Sequence, residues 1–307
     1  MKEFFDEVFD LPDPEKASQF HELIGLDEVK ERLIKDSRLL FNPQLLDAWS
    51  TKHYGRVITA ITHFHNRPPL IVFAGDVGTG KTALANCFGD PIARAEKIAI
   101  QVFRLSLITR GTGAVGEMTR LITQAFQEVE MVARKGATSN GKSRSACILV
   151  IDEADALAQS REFDQMHHED RAGVNALIRG IDRFTSTRLP VIVVMCTNRA
   201  NAIDPAVLRR AAAIFTFERP NDEQRAHVFK AAFGGIFSND ALQELVKLTG
   251  PSSNCDYGYT YSDLTQRLIP AILIKAFPDR LVTIELAAEL AQMIKPTKPF
   301  KSLGANV

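Results

Sequence analysis

Residues 75–82 have the sequence GDVGTGKT, which fits the pattern GxxxxGK[ST] and leaves few folds open to the chain. The apolar residues 70–74 before it predict a buried strand, and residues 81–88 predict a helix that begins inside the motif. Glycines let successive backbone N–H groups face inward, and the helix N-terminus adds the positive end of its dipole. The motif therefore predicts a phosphate-binding loop. The alternative, a structural glycine turn, does not need a strand before it and a helix after it.

Within this loop, two side chains have roles that follow from their chemistry. Lys81 is expected to reach the β- and γ-phosphates of a nucleotide, and the Thr82 hydroxyl is expected to ligate Mg²⁺. The expected ligands are therefore ATP and Mg²⁺. The candidate nucleotide-binding residues of the loop are Gly75, Val77, Gly78, Thr79, Gly80, Lys81 and Thr82.

Apolar runs that lack alternation recur along the first two thirds of the chain, at residues 100–105, 147–151, 191–196 and 214–217. Such runs are typical of strands covered on both faces, and helical stretches separate them. Strands that alternate with helices predict an α/β fold with a parallel sheet between helical layers. After Pro220 only helical patterns follow, at residues 222–233, 239–248, 262–277 and 284–294. We therefore expect a short N-terminal segment (1–19), an α/β domain (20–219) and a small helical domain (220–307), called the lid below.

Polar residues follow two of the predicted strands. Asp152 and Glu153 end the run at 147–151, and Asn198 follows the run at 191–196. Because phosphate sites form at the carboxyl edge of such a sheet, Asp152 is placed to hold Mg²⁺ through water and Glu153 to act as general base. The Asn198 amide could then touch both the γ-phosphate and the attacking water. The alternatives are a helix N-cap pair for the two acids and a turn residue for Asn198.

Two adjacent arginines, Arg209 and Arg210, precede the small residues 211–213. Adjacent arginines are ordinarily a solvated face. A guanidinium supplied by a neighbouring subunit to a γ-phosphate accelerates hydrolysis by about 10³–10⁵-fold, and this position suits that role. We therefore expect at least one of them to be such an arginine finger.

The charge balance argues against nucleic acid and membrane surfaces as partners. The chain has 37 basic and 37 acidic residues, so no global attraction to DNA or anionic lipid is expected. No apolar run approaches the ~18 residues that a membrane span needs. The four cysteines are not spaced as CxxC, which favours free thiols in a reducing cytoplasm.

The first fifteen residues carry six acidic residues and one basic residue. A signal peptide has the opposite charge, with basic residues before an apolar run. Phe4, Phe5, Val8 and Phe9 fall at helical spacing among these acids. We therefore expect a short amphipathic helix that packs on the body of the protein or on a neighbouring subunit.

These motifs, in this order and spacing, resemble those of the AAA+ ATPases over residues 20–295. The resemblance implies strand order 5-1-4-3-2, a helical lid and a hexameric ring, and it assigns Ile24 and Gly25 to the adenine. It also implies that Arg209 or Arg210 completes the site of the next subunit. By its distance from Pro220, Arg210 matches the finger better.

Several stretches resemble one group more narrowly, the pachytene-checkpoint ATPases, which remodel HORMA-domain proteins. Residues 106–116 match the segment that carries the group's first pore loop, at Arg110, Gly111, Thr112 and Gly113. Residues 263–270 resemble its sensor-2 helix, which makes Arg267 the lid arginine, with a surface salt bridge as the alternative. Bacterial members of the group serve antiphage (CBASS) operons together with HORMA proteins and a nucleotidyltransferase. The resemblance therefore implies an ATPase that opens HORMA complexes.

Two departures from the family pattern bear on how a substrate is held. The pore-loop positions carry no aromatic residue, although an aromatic would grip a chain by burying apolar area. Only about 20 residues precede the core, against the larger adaptor-binding domain of eukaryotic members, so capture is expected on the pore, the N-terminal segment or the core itself. A chaperone or activase of another enzyme and a DNA-acting loader are the alternative functions.

Overall fold

The computed structural model describes residues 5–106, 117–136, 144–154, 168–199, 203–253 and 255–299. These residues form two compact units. The first takes the described residues of Met1–Glu22, Asp27–Ala74 and Thr82–Thr216, and the second those of Leu23–Leu26, Gly75–Lys81 and Phe217–Val307. The phosphate loop thus clusters with the helices that follow residue 217.

The first unit is built on a six-stranded sheet. Its strands are β1 (Glu7–Leu11), β2 (Leu70–Gly75), β3 (Ala99–Ser106), β4 (Ser145–Asp152), β5 (Val191–Thr197) and β6 (Ala211–Phe217). The order across the sheet is β1-β3-β4-β5-β2-β6, and β3, β4, β5 and β2 pair in parallel. The expected order 5-1-4-3-2 is contained in it as β6-β2-β5-β4-β3. The observed sheet differs from that expectation by one added edge strand.

The helix predicted for the N-terminal segment is wrong, because these residues form the added strand. Residues 7–11 form β1, which pairs antiparallel with β3, so that Glu7 lies opposite Arg104 and Leu11 opposite Ile100. The free edge of β3 supplies main-chain partners that a helix could not use. Phe5 is buried, with its ring centroid 5.0 Å from that of Phe103. The apolar spacing fits a strand as well as a helix, and pairing with β3 decides between them.

The helices of the first unit include those that the sequence predicts between the strands. Helices α7 (Glu117–Gly136) and α8 (His168–Thr187) pack on the core, where the rings of Phe126 and Phe184 stack at 5.2 Å. The other helices are α1 (Pro14–Glu22), α2 (Asp27–Phe41), α3 (Gln44–Tyr54), α4 (Ala60–His65), α5 (Lys81–Cys87), α6 (Gly89–Glu96) and α9 (Pro205–Leu208). Among the described residues, no helix has the length and apolar character needed to cross a membrane.

The second unit contains the helices of the predicted lid. These are α10 (Asp222–Phe233), α11 (Asn239–Leu248), a π-helix (Asp263–Leu268), α12 (Ile269–Ala276) and α13 (Ile284–Met293). Asn221 and Gln224 form a capping box that fixes the start of α10. The single helix expected over 262–277 is continuous over residues 261–276, and its π-helical turn (Asp263–Leu268) lies shortly before Pro270, which has no N–H to donate to the preceding turn.

All four cysteines are free thiols, as the spacing predicts. Cys87, Cys147 and Cys196 are buried, and Cys255 is half-buried. Burial raises the pKa of both Cys87 and Cys147 to about 12. These thiols therefore behave as small apolar core residues and not as nucleophiles.

Candidate nucleotide-binding site

The loop between β2 and α5 has the geometry expected of a phosphate-binding loop. Gly78 and Gly80 adopt positive φ angles of 72° and 96°, a region that residues with a side chain rarely enter. The ammonium of Lys81 is buried and donates to the carbonyls of Gly75, at 3.0 Å, and Asp76, at 2.6 Å. The Thr79 hydroxyl is also buried and donates to the Asp76 carbonyl at 2.7 Å. The loop is thus held by its own side chains, with a cation at its centre.

Gly78 also permits a close approach by the segment that leads into the π-helix. A Cβ atom at Gly78 would lie 2.7 Å from Thr260 Oγ1 and 2.9 Å from Ser262 Cβ. The backbone N–H of Ser262 donates to the Gly78 carbonyl at 3.1 Å. Gly78 is therefore required both by its φ angle and by this packing.

In the first unit, the two residues expected to hold Mg²⁺ lie in contact. The Thr82 hydroxyl is 3.1 Å from Asp152 Oδ1, a hydrogen bond between α5 and the end of β4. Both side chains are half-buried. A hydroxyl and a carboxylate at this distance present adjacent oxygen ligands, which is the donor set that Mg²⁺ prefers. The pair therefore fits the ion that the sequence predicts.

Glu153 follows at once in a conformation unusual for its type. Its φ angle is +53°, and its backbone N–H donates to Asp152 Oδ1 at 3.0 Å. Left-handed backbone at a residue with a long side chain is uncommon and concentrates at functional sites. The turn directs the chain away from the strand direction directly after Asp152.

Asn198 lies beyond the end of β5, the strand that pairs in parallel with both β2 and β4. Because parallel strands end at one edge, Asn198 and Asp152 belong to the same edge of the sheet. The preceding Thr197 is buried, and its hydroxyl accepts from the backbone N–H of Arg199 at 3.0 Å.

The two arginines after α9 differ in their surroundings. Arg210 makes two hydrogen bonds to the carboxylate of Asp182 and a third to the Ala206 carbonyl, and the Asp182 bond raises the pKa of Arg210. Arg209 is exposed and makes no side-chain hydrogen bond or ion pair within the described part of the chain. Among the described residues, the Arg210 side chain therefore has partners within the chain and that of Arg209 has none.

Arg267, on the π-helix, lies in a network centred on the buried Asp263. Its Nη1 donates to Asp263 Oδ1 at 2.6 Å and to the carbonyl of Lys295 at 3.2 Å. Burial alone would raise the pKa of Asp263, but hydrogen bonds from Thr297, Thr260 and Arg267 outweigh it and lower the pKa to about 2. Asp263 is thus a charged anchor that joins the π-helix to residues 295–297.

The residues expected at the adenine also belong to the second unit. Gly25 has a φ angle of 73°, and its carbonyl accepts from Gln224 Nε2 at 2.9 Å. Ile24 packs against the apolar core formed by the lid helices. These contacts place Ile24 and Gly25 beside α10, while the pore-loop residues Arg110, Gly111, Thr112 and Gly113 lie outside the described residues.

One functional candidate was missed by sequence reasoning. Arg219, directly before Pro220, makes two hydrogen bonds to Oδ2 of Asp76, at 2.8 Å from Nε and 2.5 Å from Nη2. The available signal was the carboxylate itself, since an acid inside a phosphate loop calls for a compensating cation.

Comparisons with known proteins identify a family and several close relatives of the chain. Residues 71–219 match the family model of the ATPase family associated with various cellular activities (AAA). The chain is 50% identical over 301 residues to CD-NTase-associated protein 6 of Escherichia coli strain MS 115-1, covering 98% of this chain and 97% of that protein.

Two solved structures are similar over nearly the whole chain. The first is from the HORMA:CdnC:Trip13 complex of E. coli MS115-1, with a TM-score of 0.90 and 49% identity over 97% of each chain. The second is Trip13 of Rhizobiales, with a TM-score of 0.74 and 43% identity over 96% of this chain and 100% of that one. The similarity therefore extends through the lid and is not confined to the motifs.

Proposed function

The chain belongs to the AAA family of ATPases, and from this membership we propose that it forms a hexameric ring in the cytoplasm that hydrolyses ATP to open HORMA-domain proteins in antiphage (CBASS) signalling. The observation that supports ATP hydrolysis is the contact between the Thr82 hydroxyl and the Asp152 carboxylate. The observation that favours a HORMA substrate is the 49% identity to a chain determined in complex with HORMA and CdnC.

Phosphate binding is assigned to the loop and its lysine. The bonds of Lys81 to the carbonyls of Gly75 and Asp76 keep the ammonium over the loop before any phosphate arrives. Thr82 and Asp152 are the residues that would hold Mg²⁺, which when bound offsets negative charge on the phosphates.

The water that attacks the γ-phosphate is assigned to Glu153 and Asn198. Glu153 accepts a proton from this water, and the Asn198 amide orients it, since both residues follow strands that end at one edge. The Asp152 carboxylate already accepts from the Thr82 hydroxyl, and Glu153 follows it with a left-handed backbone. The acid that holds the metal and the acid that takes the proton are therefore different residues.

The proposed ring is supported by the position of Arg209, which could act on the nucleotide of a neighbouring subunit. An exposed Arg209 has no acceptor in its own described chain, whereas the site of a neighbouring subunit provides the γ-phosphate. Catalysis by this residue requires at least two subunits side by side. We therefore assign hydrolysis to the assembled ring and not to the isolated chain.

The partners are proposed from the relatives. One relative is named CD-NTase-associated protein 6, and a similar chain was solved with HORMA and CdnC. We assign a HORMA-domain protein as the substrate and a nucleotidyltransferase as the further member of the assembly. Work done on the HORMA protein would separate it from its bound partner and so end signalling.

The test measures phosphate release by the full-length chain with and without a HORMA-domain protein from the same genome. We expect stimulation by the HORMA protein but not by an unfolded control chain. Glu153→Gln should bind ATP with unchanged affinity and lose about 10²–10⁴-fold in kcat. Equal stimulation by both chains would favour a general chaperone, and wild-type hydrolysis by Glu153→Gln would refute the assignment of the base.

A further inference from the structure

The phosphate loop contains a negative charge that its function does not explain. Asp76 is the second residue of the motif, and its Oδ1 accepts from the backbone N–H of Val77 at 2.8 Å. Its side chain is only 17% exposed, so water screens the charge incompletely. A carboxylate at this place helps to shape the loop, but it also repels the phosphates that the loop is meant to bind.

Arg219 is the cation that faces this carboxylate, and the structure holds it in a single orientation. Besides its two bonds to Asp76, its Nη1 donates to the carbonyl of Gly258 at 2.6 Å and its Nη2 to that of Thr297 at 2.7 Å. The guanidinium lies 4.9 Å from the ring centroid of Tyr257. Its side chain is 14% exposed. Two separate segments of the second unit, residues 257–258 and Thr297, therefore hold Arg219 on Asp76.

We propose that Arg219 is a positioning residue for nucleotide binding, which neutralises Asp76 so that the carboxylate orders the loop without repelling the phosphates. This inference rests on the proposed function, because it concerns the affinity of the same ATP site. Arg219 acts through Asp76 and touches no phosphate itself. The Asp76 carboxylate in turn accepts a hydrogen bond from the Val77 N–H, and its main-chain carbonyl accepts one from the Lys81 ammonium.

Charge neutralisation makes a prediction that a purely structural bridge does not make. If Arg219 only bound the loop to its neighbours, removal of either partner would damage the site to a similar extent. If Arg219 neutralises Asp76, loss of the arginine removes a positive charge from a largely buried carboxylate, whereas loss of the carboxylate leaves the arginine's charge near the phosphates. The two single substitutions should then change nucleotide affinity in opposite directions, and the double substitution should cancel most of the effect.

The experiment measures the Kd of ADP and of a non-hydrolysable ATP analogue for the full-length chain at fixed ionic strength. Arg219→Met should raise the Kd of the ATP analogue by about tenfold or more, and ADP, which carries less charge, should lose less. Asp76→Asn keeps an oxygen for the Val77 N–H and removes the negative charge, so its Kd should fall. The double variant Asp76→Asn, Arg219→Met should return to within about threefold of the wild type.

Arg219→Lys is the matched control, because it keeps the charge and loses the two-bond geometry, so its Kd should stay close to that of the wild type. An unchanged Kd in Arg219→Met, or a double variant as weak as Arg219→Met, would overturn the proposal. If Arg219→Met does not fold, Asp76→Asn decides alone, since a raised Kd there would assign the carboxylate a structural role only. A wild-type chain that binds no nucleotide would refute the proposed function instead, which separates the two failures.

Discussion

The guanidinium of Arg210 is clamped on the carboxylate of Asp182 by two hydrogen bonds, of 2.7 Å from Nε and 2.9 Å from Nη2. A third bond, of 2.8 Å, joins its Nη1 to the carbonyl of Ala206. All three hydrogen bonds of Arg210 are to residues of its own chain, while the adjacent Arg209 is exposed. Distance from Pro220 favours Arg210 as the arginine finger, but the contacts favour Arg209.

We therefore predict that Arg209→Ala lowers kcat by about 10³-fold or more while the affinity for ATP changes little, because the guanidinium acts on the neighbour's γ-phosphate. Arg210→Ala should act mainly on stability, since it breaks the bidentate pair with Asp182. The measurement is steady-state hydrolysis together with thermal unfolding of each variant. Mixed rings of Arg209→Ala and Glu153→Gln subunits should regain activity, because some interfaces contain both intact residues. An active Arg209→Ala beside an inactive Arg210→Ala would reverse the assignment.

Protonation of Asp263 should lower the free energy of unfolding of the lid at acidic pH. Its folded pKa of about 2 lies below the ordinary value of 3.8, so its stabilisation is complete above about pH 4 and is lost as the pH falls through 2. The shift corresponds to about 2–3 kcal/mol at neutral pH. Hydrogen exchange at the Thr297 amide, which donates to Asp263 at 3.0 Å, should therefore be faster in Asp263→Asn at pH 6. The difference between the variant and the wild type should shrink towards pH 2, and a difference independent of pH would contradict the prediction.

The parts of the fold that the sequence predicted are those encoded locally. The phosphate loop, the strand runs and the helices α10, α11 and α13 each carry their own pattern within a short window, and the structure has them close to the expected bounds. The edge strand β1 could not be predicted in this way. Its five residues fit both periodicities, and the free edge of β3, more than 80 residues away, selects the strand.

In the candidate site, too, the residues that belong to local motifs were predicted, and the long-range partners were not. Its motif residues were predicted because each follows a recognisable strand, but the partner of Asp76 was not. Asp76 and Arg219 are separated by 143 residues, and no pattern of spacing joins them. The choice between Arg209 and Arg210 likewise depends on Asp182, which lies 28 residues before Arg210 on a different element. Long-range partners of this kind are visible only once the chain has folded.

The edge strand itself can be tested through Phe5, whose side chain is 3% exposed and packs on Phe103. Phe5→Ala should lower the free energy of unfolding by about 3 kcal/mol, because it removes a buried ring and leaves a cavity. Glu7→Gln is the matched control, since the 3.5 Å pair of Glu7 with Arg104 is solvent-exposed and should contribute less than about 1 kcal/mol. The measurement is urea-induced unfolding followed by circular dichroism. Equal effects of the two substitutions would show that the strand is not docked through Phe5.

The contact between Thr82 and Asp152 predicts how hydrolysis depends on Mg²⁺. Thr82→Ser keeps the hydroxyl that lies 3.1 Å from Asp152 Oδ1, so its activity should remain within about threefold of the wild type. Thr82→Val keeps the shape but removes the hydroxyl that contacts Asp152, and the metal would lose one oxygen ligand. We expect Thr82→Val to need at least about tenfold more Mg²⁺ for half-maximal hydrolysis, because each lost oxygen ligand weakens the site. The measurement is a Mg²⁺ titration at constant free ATP, with ADP binding in EDTA as the control for an intact loop. A Thr82→Val chain with the wild-type Mg²⁺ dependence would place the metal elsewhere than on this pair.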